Sequence, residues 1–272
     1  MTMDSALFTL VSGSSPLLVN IPHAGLGLNP GLAGRLTPSA ARLADTDWHV
    51  EKLYGFAPAL GVGLMAATHS RYVVDLNRDP DGKPLYPGAD NTELCPTRGF
   101  DGEPLYREGA APDAAEVARR ADAYWRPYHA RLAAELDAIR SRHGYAILLD
   151  GHSIISEAPR FFEGRLPDLN LGTDEGRSCD PGLAAAAYGV LSGARGFTSI
   201  HNGRFKGGYI TRHYGRPAER VHGLQLEIAQ SCYMDERNLE HWDAQRAAPL
   251  TAVLRQLVET LLHWTPARTN GP

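Results

Sequence analysis

The sequence contains few cysteines, little imbalance of charge and no long apolar run. Its 3 cysteines lie far apart without a Cys-x-x-Cys pair, which indicates neither a disulfide framework nor a thiolate zinc site and fits a reducing compartment. The formal net charge of -4 gives no electrostatic case for nucleic acid or an anionic membrane as a partner. No segment approaches the roughly 18 apolar residues of a membrane span, and the N-terminus lacks a signal-peptide pattern. We therefore expect a cytoplasmic protein with a small-molecule partner, and homo-oligomerisation remains open.

Three common catalytic motifs are also missing. The sequence has no Gly-x-Ser-x-Gly elbow, no P-loop and no Gly-x-Gly-x-x-Gly after a predicted strand. A serine hydrolase or a nucleotide-binding protein therefore has little support.

The chain instead alternates apolar runs with helical patterns. Several runs are almost continuously apolar, which is typical of strands covered on both faces. The longest helical pattern begins after Asp113 and ends at Gly144, with a kink or break expected at Pro127. These patterns predict an α/β fold with a sheet between helices, in one domain over residues 1–272. The predicted strands cover 16–21, 61–68, 71–77, 145–153, 197–202 and 222–229, and further helices cover 181–193 and 247–264.

Three long polar stretches rich in glycine and proline separate these elements. They cover residues 78–112, 156–180 and 203–220. Loops of this length in a compact domain are usually functional or mobile. We therefore expect them to border an active site.

Two histidines stand where predicted strands end. His23 follows the first strand, and His152 lies at the end of the strand in "LLDGHS". Binding sites in open α/β sheets form at the carboxyl ends of strands. A lone histidine is more often structural, but hydrolytic zinc sites combine two or three imidazoles with a carboxylate and leave one position for water. The pair therefore favours a metal site.

The accompanying carboxylate is expected in "LADTDWHVEKLY". Asp45, Asp47 and Glu51 lie close together in sequence, whereas His49 points away and is predicted to be ordinary. The alternative is a solvated helix start, because acidic residues cap helices and favour the positive end of the helix dipole. The residues alone leave both possibilities open.

Glu227 is difficult to explain as an ordinary surface charge. It stands between Leu226 and Ile228 in a strand that we predict to be buried. An unpaired buried charge costs several kcal/mol, and burial raises a carboxyl pKa towards neutrality. Such a group suits general acid or base catalysis on water. The alternative is a structural ion pair with an arginine.

Candidate groups for an acidic substrate lie in two segments. Arg71, Asn77 and Arg78 in "RYVVDLNRDP" combine guanidinium and amide donors, which suit bidentate binding of a carboxylate. Here the alternative is a loop salt bridge. The segment "GGYITRHYG" adds the donors Tyr209, Arg212 and His213, for which the alternative is a plain flexible loop.

Six segments, in this order, resemble the N-formylglutamate amidohydrolase family over roughly residues 15–235. They are "NIPHAG", "DTDWHVEKLY", "VVDLNRDP", "DGHS", "GGYITRHYG" and "LQLEIAQ". The resemblance implies hydrolysis of N-formyl-L-glutamate to formate and L-glutamate, the last step of one histidine-degradation route. It also implies one divalent metal ion, with zinc expected, and a mixed, mostly parallel sheet between helices in three layers, similar to the zinc carboxypeptidases.

The same resemblance implies roles for individual residues. His23 and His152 correspond to metal ligands, and Glu227 to the glutamate that activates water. The Asn77–Arg78 pair, with Arg212 as a further candidate, corresponds to groups that hold the substrate carboxylates, and Arg71 to a group that polarises the scissile carbonyl.

The third metal ligand departs from the carboxypeptidase pattern. That pattern has a glutamate three residues after the first histidine, where this sequence has Leu26. We choose Asp47 over Glu51, because Asp47 lies within the motif and is short enough to be held rigidly near a strand end.

Two other functions remain as alternatives. One is a metal-dependent amidase or carboxypeptidase that acts on another N-acyl amino acid. The other is a binding protein that has kept the fold without the metal.

Overall fold

The computed structural model describes residues 7–267, and within this range seven strands form one mixed sheet. The strands are β1 (Phe8–Val11), β2 (Leu17–Ile21), β3 (Gly63–Ala67), β4 (Ala146–Ile154), β5 (Leu169–Gly172), β6 (Ser199–His201) and β7 (Val221–Ala229). Their order in the sheet is β1-β3-β2-β4-β7-β5-β6. The central strands β3, β2, β4 and β7 pair in parallel, as do β5 and β6, whereas β1–β3 and β5–β7 are antiparallel. The expected mixed, mostly parallel sheet is confirmed.

Helices follow the sheet strands as the sequence pattern predicts. The α-helices are α1 (Val50–Leu53), α2 (Ala114–Arg120), α3 (Arg126–His143), α4 (Pro181–Gly193), α5 (Tyr209–Tyr214) and α6 (Ala244–His263). A π-helical turn (Ala121–Trp125) joins α2 to α3, and 3-10 turns cover Ala33–Arg35, Ala40–Arg42, Ala57–Leu60, Asp174–Gly176, Pro217–Glu219 and Gln230–Cys232. None of the helices within the described range combines the length and apolar character that crossing a bilayer requires.

The ends of the long helical segment agree with its sequence signals. Asp113 caps α2 by accepting a hydrogen bond of 2.7 Å from the Glu116 N–H, and Gly144 ends α3 with positive φ. At Pro127, where a kink or break was expected, the helical segment is continuous: a π turn joins α2 to α3, and the proline lies in the first turn of α3. Helix α6 begins at Ala244, three residues before the predicted start, because Asp243 caps it.

Apolar side chains cover both faces of the sheet. On one face, Leu17 and Val19 of β2 belong to the same buried cluster as Leu183 of α4 and Leu254 of α6. On the other face, Leu18 of β2 packs in a cluster with side chains of α3. Alternate residues of a strand point to opposite faces, so β2 is covered by helices on both sides. The three-layer α/β architecture is therefore confirmed.

One predicted strand, residues 71–77, is wrong. This segment forms turns, in which Val73 N–H donates to Ser70 O at 2.9 Å and Asp75 N–H to Leu94 O at 2.7 Å. Its valines are buried without joining the sheet. A short apolar run reports burial, and burial alone does not distinguish a strand from a packed turn.

Two predicted loops contain regular structure. Strand β5 lies within 156–180, and α5 lies within 203–220, whereas 78–112 contains only isolated bridges. The edge strand β1 was also missed. Strands of four residues such as β1 and β5 provide too little periodicity to be recognised from sequence. The single domain over 1–272 stays a prediction, because residues 1–6 and 268–272 lie outside the described range.

Candidate active site

Two neighbouring parallel strands bring the predicted histidines to one edge of the sheet. His23 follows β2 after Pro22, and His152 lies near the end of β4. The turn before α1 places Asp47 beside them, and all three side chains are buried. One ligand atom from each of the three residues can be chosen so that all lie within 4.8 Å of one another. The sequence therefore identified residues that the fold does assemble.

A second carboxylate faces the outer nitrogen of each imidazole. His23 Nε2 lies 2.8 Å from Asp75 Oδ1, and His152 Nε2 lies 2.9 Å from Asp150 Oδ2. Their Nδ1 atoms face Asp47 Oδ2, at 3.7 Å for His23 and 3.0 Å for His152. Outer carboxylates of this kind orient metal-binding imidazoles and increase their basicity.

The charges of this cluster depend on one another. Burial opposes ionisation of Asp47, but the Arg71 guanidinium and the two imidazoles hold its pKa far below the usual range. Burial likewise disfavours the charged form of His152, but Asp150 and Asp47 raise its pKa well above the ordinary value. The two carboxylates therefore offset the cost of burying a charge on His152. An imidazole binds a metal ion only in its neutral form, so protonation and metal binding compete at this residue.

The donor set fits a divalent metal ion of the zinc type. Two imidazole nitrogens and one carboxylate are the ligands of hydrolytic zinc sites, and the outer nitrogens already have carboxylate partners. Arg71 Nη2 lies 2.5 Å from both Asp47 Oδ1 and His23 Nδ1, so it contacts two of the three residues that could bind the ion. A bound ion would therefore compete with the Arg71 contacts.

Glu51, the alternative carboxylate, does not join this cluster. It lies in α1, and burial raises its pKa, while its Oε2 has no hydrogen-bond partner among the described residues. Asp45 also lies apart, where its Oδ2 accepts the Phe100 N–H at 3.1 Å and burial raises its pKa to about 6. The structure brings Asp47 to the histidines, and its role as a ligand stays a prediction.

Glu227 lies in β7 directly opposite His152 of β4 in the parallel register. Its side chain is buried, and burial raises its pKa to about 7 despite the opposing effect of His152. Gln225 Nε2 donates to Glu227 Oε2 at 3.3 Å, and Gln225 Oε1 accepts the Gly208 N–H at 2.6 Å. Arg71 makes its ion pairs with Asp47 and Asp75 and not with Glu227. The geometry thus favours the catalytic interpretation over a structural ion pair.

A cavity opens onto this cluster. The groups predicted from sequence that line it are His23, Arg71, Asn77, Arg78, His152 and Glu227. Asn77 is fixed by accepting the Ile210 N–H at 2.8 Å, and its Nδ2 lies 3.0 Å from His152 Nε2. Arg78 donates to Thr92 Oγ1 at 2.9 Å and to Asn77 O at 2.9 Å. Asn77 and Arg78 are thus held next to the proposed metal ligands.

Three predicted substrate-binding residues lie outside this cavity. Tyr209 and His213 stack with their ring centroids 4.9 Å apart and line a neighbouring cleft with Arg212. Arg212 donates to Gly207 O and to Leu85 O, both at 2.9 Å. The reason is α5, which buries Ile210 and directs these three side chains elsewhere. Their part in substrate binding stays a prediction.

The sequence analysis assigned no role to several groups of the site. Asp150 precedes His152 by two residues on the same strand, so both face the same side, and this spacing could have indicated the pair. The cavity also includes Tyr86, Arg204 and Gln225, to which the sequence analysis assigned no role. Gln225 precedes Glu227 by two residues on a predicted strand, which could have indicated it, whereas the loop segments of Tyr86 and Arg204 carry no such pattern.

Comparisons with known proteins identify the family of this chain. A family model described as N-formylglutamate amidohydrolase matches residues 15–234. N-formylglutamate deformylase of Pseudomonas putida is 50% identical over 98% of this chain and 99% of its own length. That of Pseudomonas aeruginosa is 51% identical over 96% of this chain and 98% of its own length.

A solved structure shares both sequence and fold. The crystal structure of N-formylglutamate amidohydrolase from Ralstonia eutropha JMP134 is 32% identical and superposes with a TM-score of 0.78. The match covers 94% of this chain and 98% of that chain. The chain described here belongs to the N-formylglutamate amidohydrolase family.

Proposed function

We propose that this protein hydrolyses N-formyl-L-glutamate to formate and L-glutamate with the help of one divalent metal ion, zinc. The observation that carries the proposal is a single cavity in which two carboxylate-supported imidazoles meet a buried glutamate. Family membership and the names of the relatives support the substrate. The histidine-degradation route and the cytoplasmic location stay predictions.

His23, Asp47 and His152 would hold the metal ion. The chemistry that a divalent ion supplies in such a site is activation of water and polarisation of a carbonyl oxygen. The chain itself must then move protons, stabilise the developing negative charge and hold the substrate.

Glu227 is assigned the proton transfers. With a pKa raised to about 7, it can accept a proton from water near neutral pH and return it to a leaving group. The water oxygen bonds to the formyl carbon, and the proton reaches the amide nitrogen as the carbon–nitrogen bond breaks. This sequence of steps yields formate and the free amine.

Arg71 is assigned the stabilisation of the oxyanion. Its side chain lines the cavity, and its Nε is buried without a hydrogen-bond partner among the described residues. A donor that is already held in place costs no reorganisation when negative charge develops on the formyl oxygen. Asn77 and Arg78, on the same wall, are assigned the carboxylate next to the amide.

The test combines metal content with formate release. We expect one equivalent of zinc per chain and formate release from N-formyl-L-glutamate that a chelator abolishes and added zinc restores. His152→Ala should lose both metal and turnover, whereas His263→Gln, a histidine change on the exposed end of α6, should lose neither.

Two outcomes would contradict the proposal. Faster turnover of acetyl or succinyl amino acids than of formylglutamate would favour a different N-acyl substrate. Purified protein without stoichiometric metal, and without chelator-sensitive activity, would favour a binding protein.

A further inference from the structure

Three arginines line the cavity, and their partners differ. Arg71 forms ion pairs with Asp47 and Asp75. Arg78 and Arg204 donate only to neutral acceptors, and neither forms an ion pair with any carboxylate of residues 7–267. Within that range neither of these two guanidinium groups is held in an ion pair, although the Asp75 carboxylate interacts with Arg78 at longer distance.

The other charges of the wall do not neutralise these two arginines. Asp90 is bound by Arg160 through two hydrogen bonds of 2.8 and 3.0 Å. Glu227 accepts a hydrogen bond from Gln225 and lies opposite His152 of β4 in the sheet. Unpaired cations in a cleft attract anions, because low-dielectric walls focus their field. The cavity is suited to a ligand with two negative groups.

Arg78 is placed for the carboxylate nearest the reacting bond. Its neighbour Asn77 reaches within 3.0 Å of His152 Nε2. The α-carboxylate of an N-formyl amino acid is attached to the carbon that bears the amide nitrogen, so it must lie close to the reacting atoms. This leaves Arg204 for a more distant negative group.

Close backbone packing holds the segment that carries Arg204 on the sheet. A Cβ atom at Gly172 of β5 would lie 2.5 Å from the Gly207 nitrogen, so the close approach requires glycine there. Gly208 N–H donates to Gln225 Oε1, and Gln225 shares one face of β7 with Glu227. The segment therefore lies over the face of the sheet that carries the proposed catalytic base.

The protein fixes only part of the Arg204 guanidinium. Nε donates to Phe161 O at 2.6 Å, and the group lies over the Tyr86 ring, 5.2 Å from its centroid. Neither terminal nitrogen has a hydrogen-bond partner among residues 7–267. A guanidinium that is oriented but has two free donor groups is pre-organised to bind a carboxylate.

We propose that Arg204 forms the subsite for the side-chain carboxylate of the substrate and thereby selects acidic over neutral N-formyl amino acids. The inference rests on the proposed function and deepens it. Arg212, the arginine expected from sequence to share this role, binds two backbone carbonyls and lies in the neighbouring cleft.

The test compares N-formyl-L-glutamate with N-formyl-L-glutamine, which has the same shape without the charge. Arg204→Met should lower kcat/KM for formylglutamate by about 10- to 150-fold, mainly through KM, as expected for a charge-assisted hydrogen bond. Its kcat/KM for formylglutamine should stay within about threefold, because no charged contact is lost. Arg204→Lys should restore part of the preference through its charge.

Two variants serve as controls. Arg165→Met changes an exposed arginine that donates to Ser231 Oγ, away from the cavity. It should change kcat/KM for neither substrate. Arg78→Met should lower kcat/KM for both substrates by the same factor, because both carry the α-carboxylate. An equal loss for both substrates in Arg204→Met would overturn the subsite.

Direct binding separates failure of the subsite from failure of the proposed function. Calorimetry should show that the wild-type holoenzyme binds L-glutamate more tightly than L-glutamine, and that Arg204→Met removes the difference. If the wild type bound L-glutamate and L-glutamine equally tightly, the proposed subsite would be wrong, whichever substrate the protein hydrolyses. Preferential binding without formate release would support the subsite and contradict only the proposed reaction.

Discussion

Two histidines of this protein are almost equally buried, but their pKa values shift in opposite directions. His152, in the site, is 2% exposed, and His129, in α3, is 4% exposed. Burial lowers the pKa of His129 to about 3, whereas the pKa of His152 is raised well above its ordinary value. The difference lies in their partners, because burial disfavours the charged form of both.

The surroundings of His129 are neutral. Its ring stacks on Trp125, with the centroids 3.8 Å apart, its Nε2 lies 2.8 Å from Leu76 O, and its Nδ1 lies 2.9 Å from the Tyr214 hydroxyl. These contacts satisfy a neutral imidazole and leave no lone pair for a ligand. His152 instead has carboxylates at both nitrogens. A buried histidine therefore becomes a candidate ligand through its partners and not through its burial.

The largest expected effect comes from removing the charge of Glu227 while keeping its shape. Glu227→Gln should lower kcat by about 10²- to 10⁴-fold, the contribution typical of a general base. Metal content should be unchanged, because Glu227 is not among the three proposed ligands. Near-normal turnover with metal bound would show that another group accepts the proton.

A smaller effect is expected when His23 and His152 lose the carboxylates at their outer nitrogens and keep only neutral partners there, as His129 has. Asp75→Asn and Asp150→Asn replace the carboxylates at the outer nitrogens by neutral amides. Metal affinity should fall by about 10- to 100-fold in each, the usual cost of losing such a partner. Competition with a chromophoric chelator measures the change.

Asp137→Asn is the matched control, because Asp137 is an exposed residue of α3 that pairs with Arg140. Its metal affinity should equal that of the wild type. If Asp75→Asn and Asp150→Asn also kept wild-type affinity, the carboxylates would have no part in orienting the imidazoles.

The sequence predicts the centre of the fold well for a physical reason. Strands β2, β4 and β7 are buried along their whole length, so most of their residues are apolar and the few polar ones stand out. His23, directly after β2, and His152 and Glu227 are among these, whereas His222 only accepts the Asp180 N–H. Polar residues inside or directly after a buried strand are therefore informative without any knowledge of tertiary structure.

Segments outside these strands are harder to place from sequence. The valines of residues 71–77 are buried in a turn and not in a strand, and Arg204 reaches the cavity on a segment that packs closely against Gly172. Arg212, in a motif that suggests binding, donates to two backbone carbonyls and lines a neighbouring cleft. Such placements depend on contacts between segments distant in sequence, which no local pattern records.

The smallest expected effect concerns the neutral histidine itself. An unfolded chain protonates His129 below about pH 6.5, whereas the folded protein does so only near pH 3. The unfolded state therefore binds more protons in this window, and stability falls as the pH is lowered through it. Between pH 5.5 and 4.5, the free energy of unfolding of wild type should decrease by about 1.4 kcal/mol more than that of His129→Gln. Urea unfolding at both pH values measures this difference. His263→Gln, at an exposed position, should keep the wild-type dependence, and equal slopes for all three proteins would mean that His129 is already charged when folded.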